Sequence, residues 1–353
     1  MKHDYPEPFV VDASSSHTHT CILLHGRGSN GPKFGEALLS SQTSNNITFK
    51  SAFPPGTKFI FPTAKKRRSI IFKRIPINQW FDNYSLDNPG IREHLQVDGL
   101  RETTEVIHQI IRDEVSGGID LGNIVLGGLS QGCAASVYAL LTFEGRVGAY
   151  VGMSGWFPFV KYVNESLGGE EEKSGVEQVD EGVFNINTHG VGIGGFDNAE
   201  QEEDNQELED EDEDEDEEEE EEDSDEEDDE TDDDEVPTGN NHTEIPKPTT
   251  TTSSNNPLKV IEALNFLREN IDFPLLDSTV ENLPCLKTPV FLGHGEEDEK
   301  VNVSLGRQTR DALLGLSMDV TWKLYADFGH WYKVPDEIDD IVAFLQKNID
   351  SLS

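Results

Sequence analysis

The chain has 353 residues, room for one large domain or two ordinary ones, and 35% of them are hydrophobic against about 45–50% in a typical globular protein, so part of it is not expected to pack into a core. Of the formal charge of −43, most comes from residues 200–235, which hold 30 Asp or Glu and no Lys or Arg; elsewhere 40 acidic residues face 27 basic ones, an acidic excess that nucleic-acid phosphates would repel. No run approaches the roughly 18 apolar residues that span a bilayer, and the first residues carry no apolar signal core, so neither a transmembrane segment nor a secretion signal is expected.

Along the chain, short apolar runs alternate with helical patterns, the layout of a parallel sheet covered by crossover helices. Buried strands are predicted at 21–24, 59–61, 124–127, 149–153, 290–293 and 320–324, each bounded by polar or Gly-rich residues. A helix precedes the strand at 124, because Leu100, Val106, Ile107, Ile110 and Ile111 recur at helical spacing. Another follows it over 133–141. Near the end, Ile338, Ile341, Val342 and Leu345 form one apolar stripe behind Pro335, read as a first-turn residue, so a last helix should dock on the sheet. From about 165 to 257 this pattern gives way to Gly-rich sequence, the acidic run and a Thr/Pro/Ser/Asn stretch, whose like charges and scarce apolar area predict a disordered insertion. One α/β domain is therefore expected in two parts, 1–164 and 258–353, around a disordered 165–257. No repeat of 20–50 residues recurs. Cys21, Cys133 and Cys285 are widely spaced in apolar contexts and read as reduced core thiols, which favours a cytoplasmic chain, with the nucleus also open to it.

The strongest chemical signal is Gly128-Leu129-Ser130-Gln131-Gly132, between an apolar strand and a small-residue helix. A serine there sits on a strained strand-to-helix turn that exposes its hydroxyl, while the glycines permit close backbone approach. Such a serine needs a late histidine as base, with an acid between the two in sequence. His330 lies between the last strand and the last helix. The loop after the strand at 290 offers four acids, Glu296, Glu297, Asp298 and Glu299, of which Asp298 is expected to orient the histidine. Acyl transfer also needs donors for the oxyanion, which in this fold are the amide after the nucleophile and one from an early Gly-rich loop, here Gln131 and Arg27. No metal or organic cofactor enters this chemistry.

With Leu24-His25-Gly26-Arg27-Gly28, Trp80-Phe81-Asp82, the elbow at Ser130, Ser154-Gly155-Trp156, and Gly293-His294-Gly295 followed by Asp298 and Val301, the chain resembles the acyl-protein thioesterase, or phospholipase/carboxylesterase, family of α/β-hydrolases. All five matches occur in family order and flank the insertion. The resemblance implies an α/β-hydrolase fold, and its pattern places the catalytic aspartate where Asp298 stands, three residues before the valine. It implies a serine hydrolase acting through an acyl-serine on an acylated protein, with lysophospholipids or small carboxylic esters as the second substrate class. Departures are Arg27 in place of an apolar residue, Asn302 in place of proline and Trp331 after the histidine. A guanidinium at Arg27 could shift substrate preference toward anionic groups. The family's acyl pocket lies near the basic and apolar run 65–72, so Ile70, Ile71 and Phe72 are expected to shelter an acyl chain beside Trp80 and Trp156, with the cations facing acidic lipid or the insertion. An expectation of another class is that residues 200–235 bind basic protein partners.

Overall fold

A computed structural model describes residues 5–168, 256–277 and 282–349. The chain begins with strands β1 (Phe9–Val11) and β2 (His19–Leu24), helix α1 (Gly31–Ser40) and strand β3 (Thr57–Phe61), followed by a hairpin of β4 (Lys66–Arg68) and β5 (Pro76–Asn78). Helix α2 (Val97–Ser116), strand β6 (Ile124–Leu129), helix α3 (Gln131–Thr142), strand β7 (Ala149–Met153) and helix α4 (Val160–Leu167) complete the first part. Beyond it come α5 (Pro257–Asn270), β8 (Val290–Gly295), α6 (Val303–Gly315), β9 (Val320–Tyr325) and α7 (Asp336–Asn348). The described residues of both parts belong to one compact unit. The expected disordered insertion lies outside the described residues except at its two ends. There the boundaries are corrected, because 165–167 continue α4 and residue 257 opens α5.

Seven strands form one sheet in the order β1-β3-β2-β6-β7-β8-β9, parallel throughout except for β1, which runs antiparallel to β3. Side chains alternate along each strand, so β2 sends Ile22 and Leu24 to one face and Cys21 and Leu23 to the other, and the two faces carry separate cores. Helices α2 to α6 cover the first face, whereas α1 and α7 cover the second. The three cysteines are buried free thiols, Cys285 in the first core and Cys21 in the second. The strand at 320 was expected to be buried; it is instead the sheet's half-exposed edge, where packing protects one side only. Pro335 is likewise shifted, since it holds the N-cap position and α7 starts one residue later. No helix among the described residues is long and apolar enough to cross a membrane.

Central strands of this sheet end at one edge, and their C-terminal loops converge there. This is where open parallel sheets gather functional residues.

Candidate active site

Ser130 occupies the single residue between β6 and α3, with φ +56° and ψ −120°, a conformation that a non-glycine residue holds only when its surroundings enforce it. The enforcement is visible on both sides. Its amide donates to the Met153 carbonyl (2.9 Å), and its carbonyl accepts from Ala134 (3.1 Å). A Cβ at Gly132 would lie 2.3 Å from the Leu24 oxygen, and one at Gly128 2.5 Å from the Gly132 carbonyl carbon, so neither position has space for a side chain. The hydroxyl is left at the surface of the turn with 9% of the residue accessible.

Two loops bring polar partners to it. His330 Nε2 lies 2.9 Å from Ser130 Oγ, and His330 Nδ1 lies 2.8 Å from Asp298 Oδ2. A carboxylate only accepts, so the imidazole proton sits on Nδ1 and Nε2 is free to accept from the serine hydroxyl. Asp298 is itself fixed by the amides of Lys300 (2.9 Å) and Val301 (2.8 Å), both bonded to Oδ1. Burial pushes its pKa up, but the bonds from His294, His330 and the Val301 amide outweigh that and hold the carboxyl well below the usual range. The aspartate therefore stays ionised at any working pH. His294, which sequence reasoning had treated only as part of a motif, lies beneath the aspartate. Its Nε2–H donates to the Val301 carbonyl (2.8 Å) and lies 3.3 Å from Asp298 Oδ2. Ser154 was also missed; its hydroxyl donates to the Trp331 carbonyl (2.9 Å) and ties the histidine loop to the end of β7.

The early loop faces the elbow from the other side. Among the described residues neither the Arg27 nor the Gln131 amide has a hydrogen-bond partner; Gln131 opens α3, where the first amides lack intrahelical acceptors. Below them His25 is fully buried, its Nε2 accepting from the Ala64 amide (3.0 Å) and its Nδ1 donating to the Gly26 carbonyl (2.6 Å). Burial lowers its pKa to about 4, with the Gly26 bond opposing, so the ring is neutral and its tautomer fixed. Gln131 turns its side chain back to the Trp80 amide (3.0 Å) and the Phe81 carbonyl (2.8 Å), and the Trp80 indole donates to the His25 carbonyl (2.8 Å). The Trp-Phe pair thus braces the elbow and the early loop together.

That bracing relocates two expected substrate contacts. Trp80 and Trp156 have 0% and 2% of their surface exposed, packed in the core below the site rather than lining its open face. Ile70 and Ile71 are half-buried in the β4–β5 turn, while Phe72 is 44% exposed with the Arg27 guanidinium 5.1 Å from its ring centre. The basic run is divided by strand alternation: Lys65 and Arg67 pair with Glu102 of α2, and Lys66 and Arg68 face outward. Asn302, where the resembled family has proline, caps α6 through the Ser304 amide (2.9 Å). Trp331 is 43% exposed beside His330, against Tyr332.

Chemically, the arrangement offers a hydroxyl with a proton acceptor, a fixed anion behind that acceptor, and two unengaged amides. Comparisons with known proteins give the chain its relatives. A family model described as phospholipase/carboxylesterase matches residues 5–173 and 266–349. A protein of Gibberella zeae called acyl-protein thioesterase 1 is 23% identical over 344 residues, covering 97% of this chain and 95% of its own length. The acyl-protein thioesterase 1 of Yarrowia lipolytica is 30% identical over 162 residues, 45% of this chain and 66% of that protein. Among solved structures, acyl-protein thioesterase 2 of Zea mays has a TM-score of 0.53 at 18% identity, covering 98% of this chain and 100% of that one. SOBER1 of Arabidopsis thaliana has a TM-score of 0.52 at 16% identity over 94% and 99%. At those identities the structural likeness speaks to fold.

Proposed function

Because this chain belongs to the phospholipase/carboxylesterase family of α/β-hydrolases, we propose that it is a serine hydrolase cleaving acyl thioesters, with S-acylated protein cysteines as its principal substrates. The observation that carries the reading is the continuous path from Ser130 Oγ through His330 to Asp298, at 2.9 and 2.8 Å. Ser130 attacks the acyl carbonyl as His330 Nε2 takes its proton; Asp298 holds the ring and stabilises its charged form. The Arg27 and Gln131 amides receive the oxyanion, and the protonated imidazole returns its proton to the departing thiol or alcohol. Water, deprotonated by the same nitrogen, then releases the acyl group from the serine. The thioester preference rests on the thioesterase names of the relatives. A carboxylesterase or lysophospholipase activity is the second reading, favoured by the family description, since both substrate types pass through the same tetrahedral intermediate.

The test is fluorophosphonate labelling of wild type and Ser130→Ala, followed by turnover of a palmitoyl thioester beside a short-chain aryl ester. Labelling and both turnovers are expected to disappear in the variant. Labelling that survives removes Ser130 from the mechanism, and wild-type rates confined to the aryl ester remove the thioester preference.

A further inference from the structure

Arg27 contributes more than an amide. Its side chain leaves the oxyanion loop half-buried, donates from Nη1 to the Asn83 side-chain oxygen (3.2 Å), and lies over the exposed ring of Phe72. A guanidinium has five N–H donors, and among the described residues these two contacts are its only partners, with no carboxylate at ion-pairing distance. Lys58, Arg67 and Arg268, which are also shielded, are paired with Glu114, Glu102 and Glu144. Asp82, the acid that acts on Arg27 through space, has its Oδ1 taken by the Ile70 amide (3.2 Å) and the Gln79 side chain (3.5 Å). Burial lowers the Arg27 pKa and Asp82 opposes this only in part, so withdrawing this cation from water is not repaid within the fold.

Resting on the serine-hydrolase reading above, we infer that Arg27 is an anion-recognising subsite and that preferred substrates carry a carboxylate or phosphate on the acyl group. Amide and guanidinium belong to one residue, so oxyanion and substrate anion lie one arginine side chain apart, a separation of a few bonds along an acyl chain. Phe72 supplies an apolar wall for the intervening methylenes. The acyl side is indicated because the leaving group must lie beside His330, which protonates it, whereas the guanidinium contacts Asn83 and Phe72 of the segment after β3. A planar fork in a shielded place suits carboxylate or phosphate bidentately, which a lysine does not reproduce.

The experiment measures kcat/KM for the mono-aryl thioester of adipic acid against its ω-methyl ester, in wild type, Arg27→Met and Arg27→Lys. A third arm uses a neutral acyl group on a carboxylated aryl thiol, and a fourth replaces the ω-carboxylate with a phosphate. Wild type should favour the anionic acyl substrates by about tenfold or more, as charge-assisted hydrogen bonds of this kind imply. The anionic-to-neutral ratio should fall to near unity in Arg27→Met, with Arg27→Lys keeping part of it. The ratio reads selectivity however much the oxyanion loop suffers from the substitution. An equal ratio in wild type and Arg27→Met overturns the inference, as does an Arg27-dependent preference confined to the carboxylated thiol. Ser130→Ala separates the two levels: turnover of either thioester without Ser130 defeats the serine-hydrolase reading, and an Arg27-independent ratio with inactive Ser130→Ala defeats only the subsite.

Discussion

Glu337 is a fully buried carboxyl that the proposed chemistry does not use. It sits in the first turn of α7, its Oε2 accepting from the Lys333 amide (3.0 Å), three residues beyond the histidine. Its Oε1 has no hydrogen-bond partner among the described residues, and lies so close to β8 that a Cβ at Gly293 would be 2.1 Å from it. Burial raises its pKa to about 8; the Lys333 amide works against this and Asp340 adds to it. The native group thus stays protonated while the unfolded chain ionises near pH 4. The contribution of Glu337 to stability is therefore full below that range, declines as pH rises, and levels off once the native carboxyl ionises near 8. Glu337→Gln keeps an acceptor for Lys333 and removes the ionisation. Denaturant unfolding of both proteins at pH 5 and 8 should show the glutamine variant gaining on wild type by a few kcal/mol over that span, at about 1.4 kcal/mol per pH unit. A constant difference at the two pH values would mean that the carboxyl ionises in the fold as it does in the open chain.

Between strand ends and helix starts, the site depends on loops held by buried polar atoms, and His25 is the clearest case. Its ring joins the Ala64 amide to the Gly26 carbonyl and so sets where the Arg27 amide points. His25→Ala leaves the Ala64 amide buried without a partner, a cost of about 1–3 kcal/mol before any cavity effect. With that amide in its proposed oxyanion role, misplacing it lowers kcat by about 10²-fold, so kcat should fall much more than KM rises. A variant with normal kcat would show that the loop holds its shape without the ring. Such roles are hard to read from sequence, because His25 and His294 matter through what they touch. A histidine between an apolar strand and a glycine is the only local sign of either. Periodicity served better where burial was uniform: the strand over 149–153 falls where expected, as does the stripe at Ile338, Ile341 and Leu345. It gave no sign of β1, whose three residues are too few to display alternation, nor of the short β4–β5 hairpin. Helix α1 was hidden by Gly31, Pro32 and Gly35, although Pro32 suits a first turn and Asn30 caps it through the Lys33 amide. Helix α6 buries Gly306 and Thr309 beside Ala312 and Leu313, a face chosen for closeness rather than hydropathy; a Cβ at Gly306 would meet His294 Nδ1 at 2.4 Å. The elbow was legible for the opposite reason, since the close approach of its backbone to the end of β2 leaves no space for side chains at Gly128 and Gly132, and that requirement is written into five consecutive residues.

For the molecule as a whole, the question is whether the long acidic stretch is needed to bring Ser130 and His330 together. The contacts between the two parts argue that it is not. Helix α4 ends at Gly168, in the left-handed conformation with φ +86°, and α5 begins behind Asn256, whose side chain accepts from the Leu258 amide (3.1 Å). Lys259 Nζ donates to the Leu167 carbonyl (3.4 Å), so the two helix ends stand within one lysine side chain of each other. Tyr162 and Phe266 stack between the helices with ring centres 4.7 Å apart, and Tyr138 of α3 donates to the Leu267 carbonyl (2.7 Å). These contacts already join the part that bears the serine to the part that bears the aspartate and histidine. If residues 169–255 add no packing, as their composition predicts, replacing them with about eight Gly/Ser residues removes only the cost of closing a long connection. That cost grows by about 0.6 kcal/mol per doubling of length, so the shortened chain should be more stable by roughly 2 kcal/mol. It also loses the 30 carboxylates of 200–235, and with them a self-repulsion that salt screens. Thermal melts at low and high salt, with aryl ester turnover, give the measurement. The shortened chain should retain turnover, melt higher, and respond less to salt. A lower melting temperature in both salts would mean that the replaced residues pack against the fold; a preserved melt with lost turnover would mean that they act on the site.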